Sequence, residues 1–167
     1  SNNGYYLGVC AGKEPTKFSD CTSIKNLERE PVFVELESGE ILAAGISADF
    51  VSDGKYLKVT HTLVNVSDKT MERVCIGVNA DIQIGSSDAA SIYRTGTGFR
   101  MEDPGSQQQF SLACKKAPGA DDISTMWFGY YSDRQSNQFN DTSADDLIGR
   151  DSGLAFSWKD MELSPGE

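Results

Sequence analysis

Asn79, Asp81 and Gln83 sit at every second position of one extended stretch, so their side chains would project from one strand face about 7 Å apart. Amides and carboxylates at that spacing suit the hydroxyls of a sugar, and Trp127 or Tyr131 could stack on its apolar face. The polar loop Asp133-Arg134-Gln135-Ser136-Asn137 would add Arg134 and Asn137 to such a ligand-binding surface. The competing expectation is a plain hydrated sheet face with Trp127 in the core.

His61 is the only histidine and shares a strand face with Leu57, Val59 and Leu63, which favours a core role over an acid–base one. The acidic clusters Asp121-Asp122 and Asp141-Thr142-Ser143-Ala144-Asp145-Asp146 are the candidate metal sites, with calcium as the cation that takes many oxygens. Neither follows an EF-hand spacing, so solvated acidic loops are the simpler expectation. One histidine and four scattered cysteines cannot build a zinc site, and no Gly-x-Ser-x-Gly nucleophile motif occurs. Gly96-Thr97-Gly98 is too short for a phosphate loop and reads as a strand break.

The elements that must position these residues are strands. Tyr56 to Val64 alternates with a period of two, and Val74 to Ile84 alternates longer still, with Val74, Ile76, Val78, Ala80, Ile82 and Ile84 on one face. The turn Ser52-Asp53-Gly54-Lys55 precedes the first and Asn65 to Thr70 joins the two, so a central strand pair is expected, one face for a core and one for solvent or ligand. Residues 1–30 show no sustained alternation and read as an irregular N-terminal arm, with a short strand at Tyr5 to Val9. Residues 31–167 then form the sandwich domain. Its further strands are expected at Val32 to Leu36, Ile41 to Val51 with Ile46, Ala48 and Phe50 inward, Ile92 to Arg94, Gly98 to Met101 and Gln108 to Cys114. Ile123 to Tyr131 is apolar on both faces and is expected to be central. Ser143 could cap a helical turn over Ala144 to Ile148, and the last strand runs from Leu154 through Trp158. The chain closes on Ser164-Pro165-Gly166-Glu167, a turn that should lead to another strand, either from this chain or from a neighbour.

With 167 residues, one core is expected, and a formal charge of −10 at a pI near 4.5 argues against a nucleic-acid phosphate partner. No apolar run is long enough for a membrane helix, so membrane insertion is not expected. Four cysteines, an even number, together with the glycosylation acceptors Asn65-Val66-Ser67 and Asn140-Asp141-Thr142, suit an extracellular or cell-surface setting. Cys10 with Cys21 is the most local disulfide, leaving Cys75 with Cys114. Strand parity fits the second pair poorly unless a bulge intervenes.

Short strands punctuated by Gly, Pro and Asp turns define an all-β, antiparallel two-sheet β-sandwich. The phrase Val59-Thr60-His61-Thr62-Leu63-Val64-Asn65-Val66-Ser67-Asp68 resembles the strand-and-turn phrase of the large supersandwich domains related to galactose mutarotase. Ala155-Phe156-Ser157-Trp158 with Leu163-Ser164-Pro165-Gly166-Glu167 is similar to sandwich repeats on surface proteins of protists and bacteria. The likeness spans about a third of the chain and implies a fold. For a mutarotase-like carbohydrate-active enzyme it would make His61 the acid, although the usual second histidine is missing. The functional expectations are therefore a non-catalytic recognition or adhesion domain with a glycan or a host or partner surface protein as ligand, a structural module that pairs or self-associates through an open sheet edge, and, last, that enzyme.

Overall fold

The structure, a computed structural model, describes residues 5–24, 30–113, 115, 119, 121–141 and 145–167. Strand alternation dominates it, and every strand pair is antiparallel. The largest sheet has five strands in the order β10 (Thr125–Tyr130), β12 (Ser152–Leu163), β6 (Met71–Asp81), β1 (Tyr5–Cys10) and β2 (Thr22–Ile24). A three-stranded sheet has the order β3 (Val32–Glu35), β4 (Ile41–Val51), β5 (Tyr56–Asn65). A four-stranded sheet has the order β11 (Asp146–Leu147), β7 (Ser91–Arg94), β8 (Gly98–Asp103), β9 (Gln108–Ala113). The fold is an all-β sandwich.

Alternation explains which side of each strand is buried. Val74, Ile76, Val78 and Ala80 of β6, Leu7 and Val9 of β1, and Leu154 and Phe156 of β12 meet Leu42 and Ala44 of β4 and Ile92, Phe99 and Met101 of the four-stranded sheet in one core. The side chains of all three sheets thus share a single apolar interior, where close packing makes each methylene count.

Several expectations change here. The strands β5 and β6 do not pair: β5 adds to β4, whereas β6 lies between β12 and β1. Asn65 organises the corner between them. Its side-chain amide donates to the carbonyls of Lys69 (2.7 Å) and Leu163 (2.9 Å), and its Oδ1 accepts from the Ser67 amide and hydroxyl. Residues 5–24 are no separate arm, because β1 is an interior strand bonded to both β6 and β2. Its apolar side is only Leu7 and Val9, too short a run to stand out from sequence. β10 is a sheet edge, not a central strand. Both of its faces are apolar because Met126 and Phe128 are buried in the core while Trp127 is buried on the outer face of the sheet, where a second layer of chain lies. Residues 146–147 pair with Ile92 and Tyr93 in place of a helical turn; the expected Ser143 cap lies outside the described residues.

That second layer is the segment 131–141, which lies on the outer face of the five-stranded sheet. Phe139 and Gln138 would meet a Cβ on Gly77 at 2.6 and 2.7 Å, and Arg134 would meet one on Gly153 at 3.0 Å. Trp127 packs over Gly129 in the same way. The glycines remove the side chains that would otherwise lift the segment off the sheet. The Phe18 amide, bonded to the Gln135 carbonyl at 2.8 Å, ties the segment to the β1–β2 connection.

Candidate functional site

The face carrying Cys75, Asn79 and Asp81 is therefore roofed rather than open. Asn79 is fully buried and its amide donates to Gln138 Oε1, while Trp127 is buried with its ring over Gly129. Neither can touch a ligand from solvent, which corrects their expected role. Asn137 bonds the Asp133 carbonyl at 2.9 Å and Gln83 is exposed.

At the open end of this layer the structure does gather Asp81, Tyr131 and Arg134. The Arg134 guanidinium lies over the rings of Tyr6 (5.8 Å) and Tyr131 (5.9 Å) and donates to the Tyr131 carbonyl at 2.6 Å. Asp81 is joined there by Asp88 and Asp151, each with a carboxylate oxygen within 4.8 Å of the others. Burial, with Asp88 adding like charge, raises the Asp81 carboxyl above its ordinary range, while Arg134 opposes the rise. Asp151 is raised in the same way, by burial first and then by Asp88 and Asp81. Asp88 and Asp151 carried no motif; only the loop after β6 and the approach to β12 bring them together.

The expected calcium ligands do not converge. Asp141 accepts the Met126 amide at 2.9 Å, Asp145 lies 3.9 Å from Arg94, and neither these nor Asp121, Asp122 and Asp146 join a group of three ligating side chains among the described residues.

His61 is clamped between aromatic rings. Its Nε2 lies 2.6 Å from the Tyr5 hydroxyl, the two rings are stacked at 5.9 Å, and the Trp158 ring is 5.8 Å away. Burial lowers its pKa to about 4, so the imidazole is neutral at physiological pH. This is a packing histidine midway along the β4–β5 hairpin.

Cys10 and Cys75 face each other across the β1–β6 ladder, and Cys21 packs against them. All three are free thiols in the structure, so the Cys10–Cys21 bridge is not formed; Cys114 lies outside the described residues. Hydrogen bonding with Cys21, together with burial, pushes the Cys10 thiol up to about 12. Of the two glycosylation candidates, Asn140 is exposed, whereas Asn65 is fully buried with both amide hydrogens in use, which leaves no room for a glycan.

The most unusual surface belongs to β4 and β5. One face of this hairpin starts in the core with Leu42 and Ala44, passes His61, and ends in solvent with Val59, Leu57 and Phe50 at 44%, 55% and 77% exposure. Ile46, Ala48 and Phe50 do lie on the core-facing side, as expected, but the hairpin outruns the core. Its tip turns through Ser52, Asp53 and Gly54, all with positive φ.

No family model matches the chain, and no curated protein or solved structure matches it either.

Proposed function

We propose that this chain is a non-catalytic recognition module of a secreted or cell-surface protein, and that it engages a partner polypeptide through the projecting β4–β5 hairpin. The observation that carries this is the exposed apolar strip Phe50, Leu57 and Val59, which is contiguous with the core yet covered by nothing among the described residues. Contiguous exposed apolar area of this kind marks interaction surfaces, whereas single apolar residues do not. The exposed acceptor Asn140 supports the compartment.

The test is a binding screen of the purified domain against arrayed extracellular domains, in parallel with a Phe50→Ser/Leu57→Ser variant. Binding by the parent that the variant loses, at an unchanged melting temperature, supports the proposal. Hits that the variant retains, or none at all, overturn it.

A second reading is favoured by the meeting of Asp81, Tyr131 and Arg134, with the half-exposed Tyr130 ring 4.9 Å from Tyr131. Carboxylates beside an aromatic ring suit a sugar. Selective signals on a glycan array, lost on Asp81→Asn and compared with and without calcium, would support glycan binding; a blank array from the folded domain would remove it.

A further inference from the structure

The outer face of the five-stranded sheet carries three sulfurs in a row across neighbouring strands, and we infer that they form a thiol–disulfide exchange site. Cys21 takes up a small external disulfide, and Cys10 passes the oxidation inward to Cys75.

The row follows from register. Cys10 of β1 lies directly across from Cys75 of β6. On its other side, the β1–β2 pairing runs from Leu7 with Ile24 to Val9 with Thr22, so Cys21 comes next, beside Cys10. Leu7 and Val9 point into the core, which turns Gly8 and Cys10 outward. Cys21 shares that side, since a Cβ on Gly8 would stand 3.1 Å from its Cβ. Phe139 of the segment 131–141 packs with all three.

Cys10 is the shared member. Directly opposed residues of an antiparallel pair have Cα atoms about 4.5–5.5 Å apart, inside the range that a disulfide spans. The strands β6 and β2 are two strand spacings apart, about 9–10 Å, which is too far for Cys21 to reach Cys75. Among the described residues the three sulfurs do not all lie within 4.8 Å of one another, so they make a line rather than a metal nest. A line suits sulfur displacement, because the attacking and leaving sulfurs stand on opposite sides of the one attacked.

Exposure sets the direction. Cys21 is half-buried while Cys10 and Cys75 are buried, so an oxidant in solvent meets Cys21 first. Its thiolate attacks one sulfur of oxidised glutathione, forming a mixed disulfide and releasing one glutathione thiol that takes the proton. Cys10 then attacks the Cys21 sulfur, forming Cys10–Cys21, and its proton leaves with the second glutathione. Cys75 finally attacks the Cys10 sulfur, and Cys21 departs as a thiol with the Cys75 proton. Two protein thiols are oxidised, and one disulfide is reduced to two thiols. The end state is favoured because Cys10–Cys75 closes the much longer loop of chain. Hydrogen bonding with Cys10, and then burial, also raises the Cys75 thiol, which makes it a poor leaving group once bridged.

The experiment mixes reduced protein with oxidised glutathione, quenches with iodoacetamide at intervals and maps the cysteines by peptide mass spectrometry. Glutathione on Cys21 should appear first, and Cys10–Cys75 with alkylated Cys21 should accumulate. Cys21→Ser should reach the same bridge about tenfold or more slowly. Cys75→Ser should stop at Cys10–Cys21, with circular dichroism confirming the fold; Cys75→Ala replaces it if the serine variant does not fold. Any other end product in the parent, thiols that all stay reduced, or Cys21→Ser oxidising as fast as the parent overturns the inference.

Discussion

Tyr5 and His61, 56 residues apart in sequence, meet hydroxyl to Nε2 at 2.6 Å, and this contact fastens the hairpin of one sheet to the first strand of another. The imidazole is uncharged because burial depresses its pKa from an ordinary 6.5 to about 4. A depressed folded-state pKa means that the neutral form stabilises the fold fully above pH 6.5, and that this is lost as pH falls through 4. The contribution is of the order of 3 kcal/mol. We expect the melting temperature of the parent to fall between pH 6.5 and 4 more steeply than that of His61→Phe, as followed by circular dichroism. Parallel curves would show that the ring is solvated.

Gly77 and Gly45 form a matched pair for testing the covered sheet face. A Cβ at Gly77 would strike Phe139 and Gln138, whereas one at Gly45 would meet nothing within 4 Å. Gly77→Ala should cost about 1–3 kcal/mol by overpacking. Gly45→Ala should change stability by less than about 0.5 kcal/mol. Equal effects in urea unfolding would mean that the segment 131–141 does not rest on β6.

Asn65 holds the β5–β6 corner with donors and an acceptor together, so Asn65→Asp keeps only half the network. The Lys69 and Leu163 carbonyls would lose their partner, at a cost of about 2–4 kcal/mol. After expression through a glycosylating secretory pathway, mass spectrometry should find no glycan on Asn65, and any glycan on Asn140. Occupancy of Asn65 in folded protein would contradict the buried corner.

Asp151 is raised by burial and by its acidic neighbours, so its charge opposes folding at neutral pH. A raised folded-state pKa gives stability that is present below the unfolded value and lost as pH rises through the folded one. Asp151→Asn should therefore raise the melting temperature at pH 7, and the gain should vanish near pH 3. If the substitution lowers stability at pH 7, the carboxylate is held by favourable bonds instead.

Much of the architecture was legible in the chain itself, because burial of one strand face imposes a period of two. β4, β5, β7, β8 and β9 lie close to where alternation and turn residues put them, and the all-β class follows from the same pattern. Alternation cannot say which strand pairs with which, so β5 and β6 parted into different sheets. It also cannot say what covers a strand's second face. Asn79 and Trp127 suit ligand contacts by alternation alone, but the structure buries both: Asn79 against Gln138 of the segment seated on Gly77 and Gly153, and Trp127 over Gly129. Asp88 and Asp151 had no sequence signal, since their nearness to Asp81 is a product of two distant loops. The strands, the turns and the Pro165-Gly166 reversal follow from local conformational preferences that the residues carry wherever they are placed. That this reversal lies with Glu167 against Asn65 follows only from how the sheets pack, because it joins residues about a hundred positions apart by hydrogen bonds.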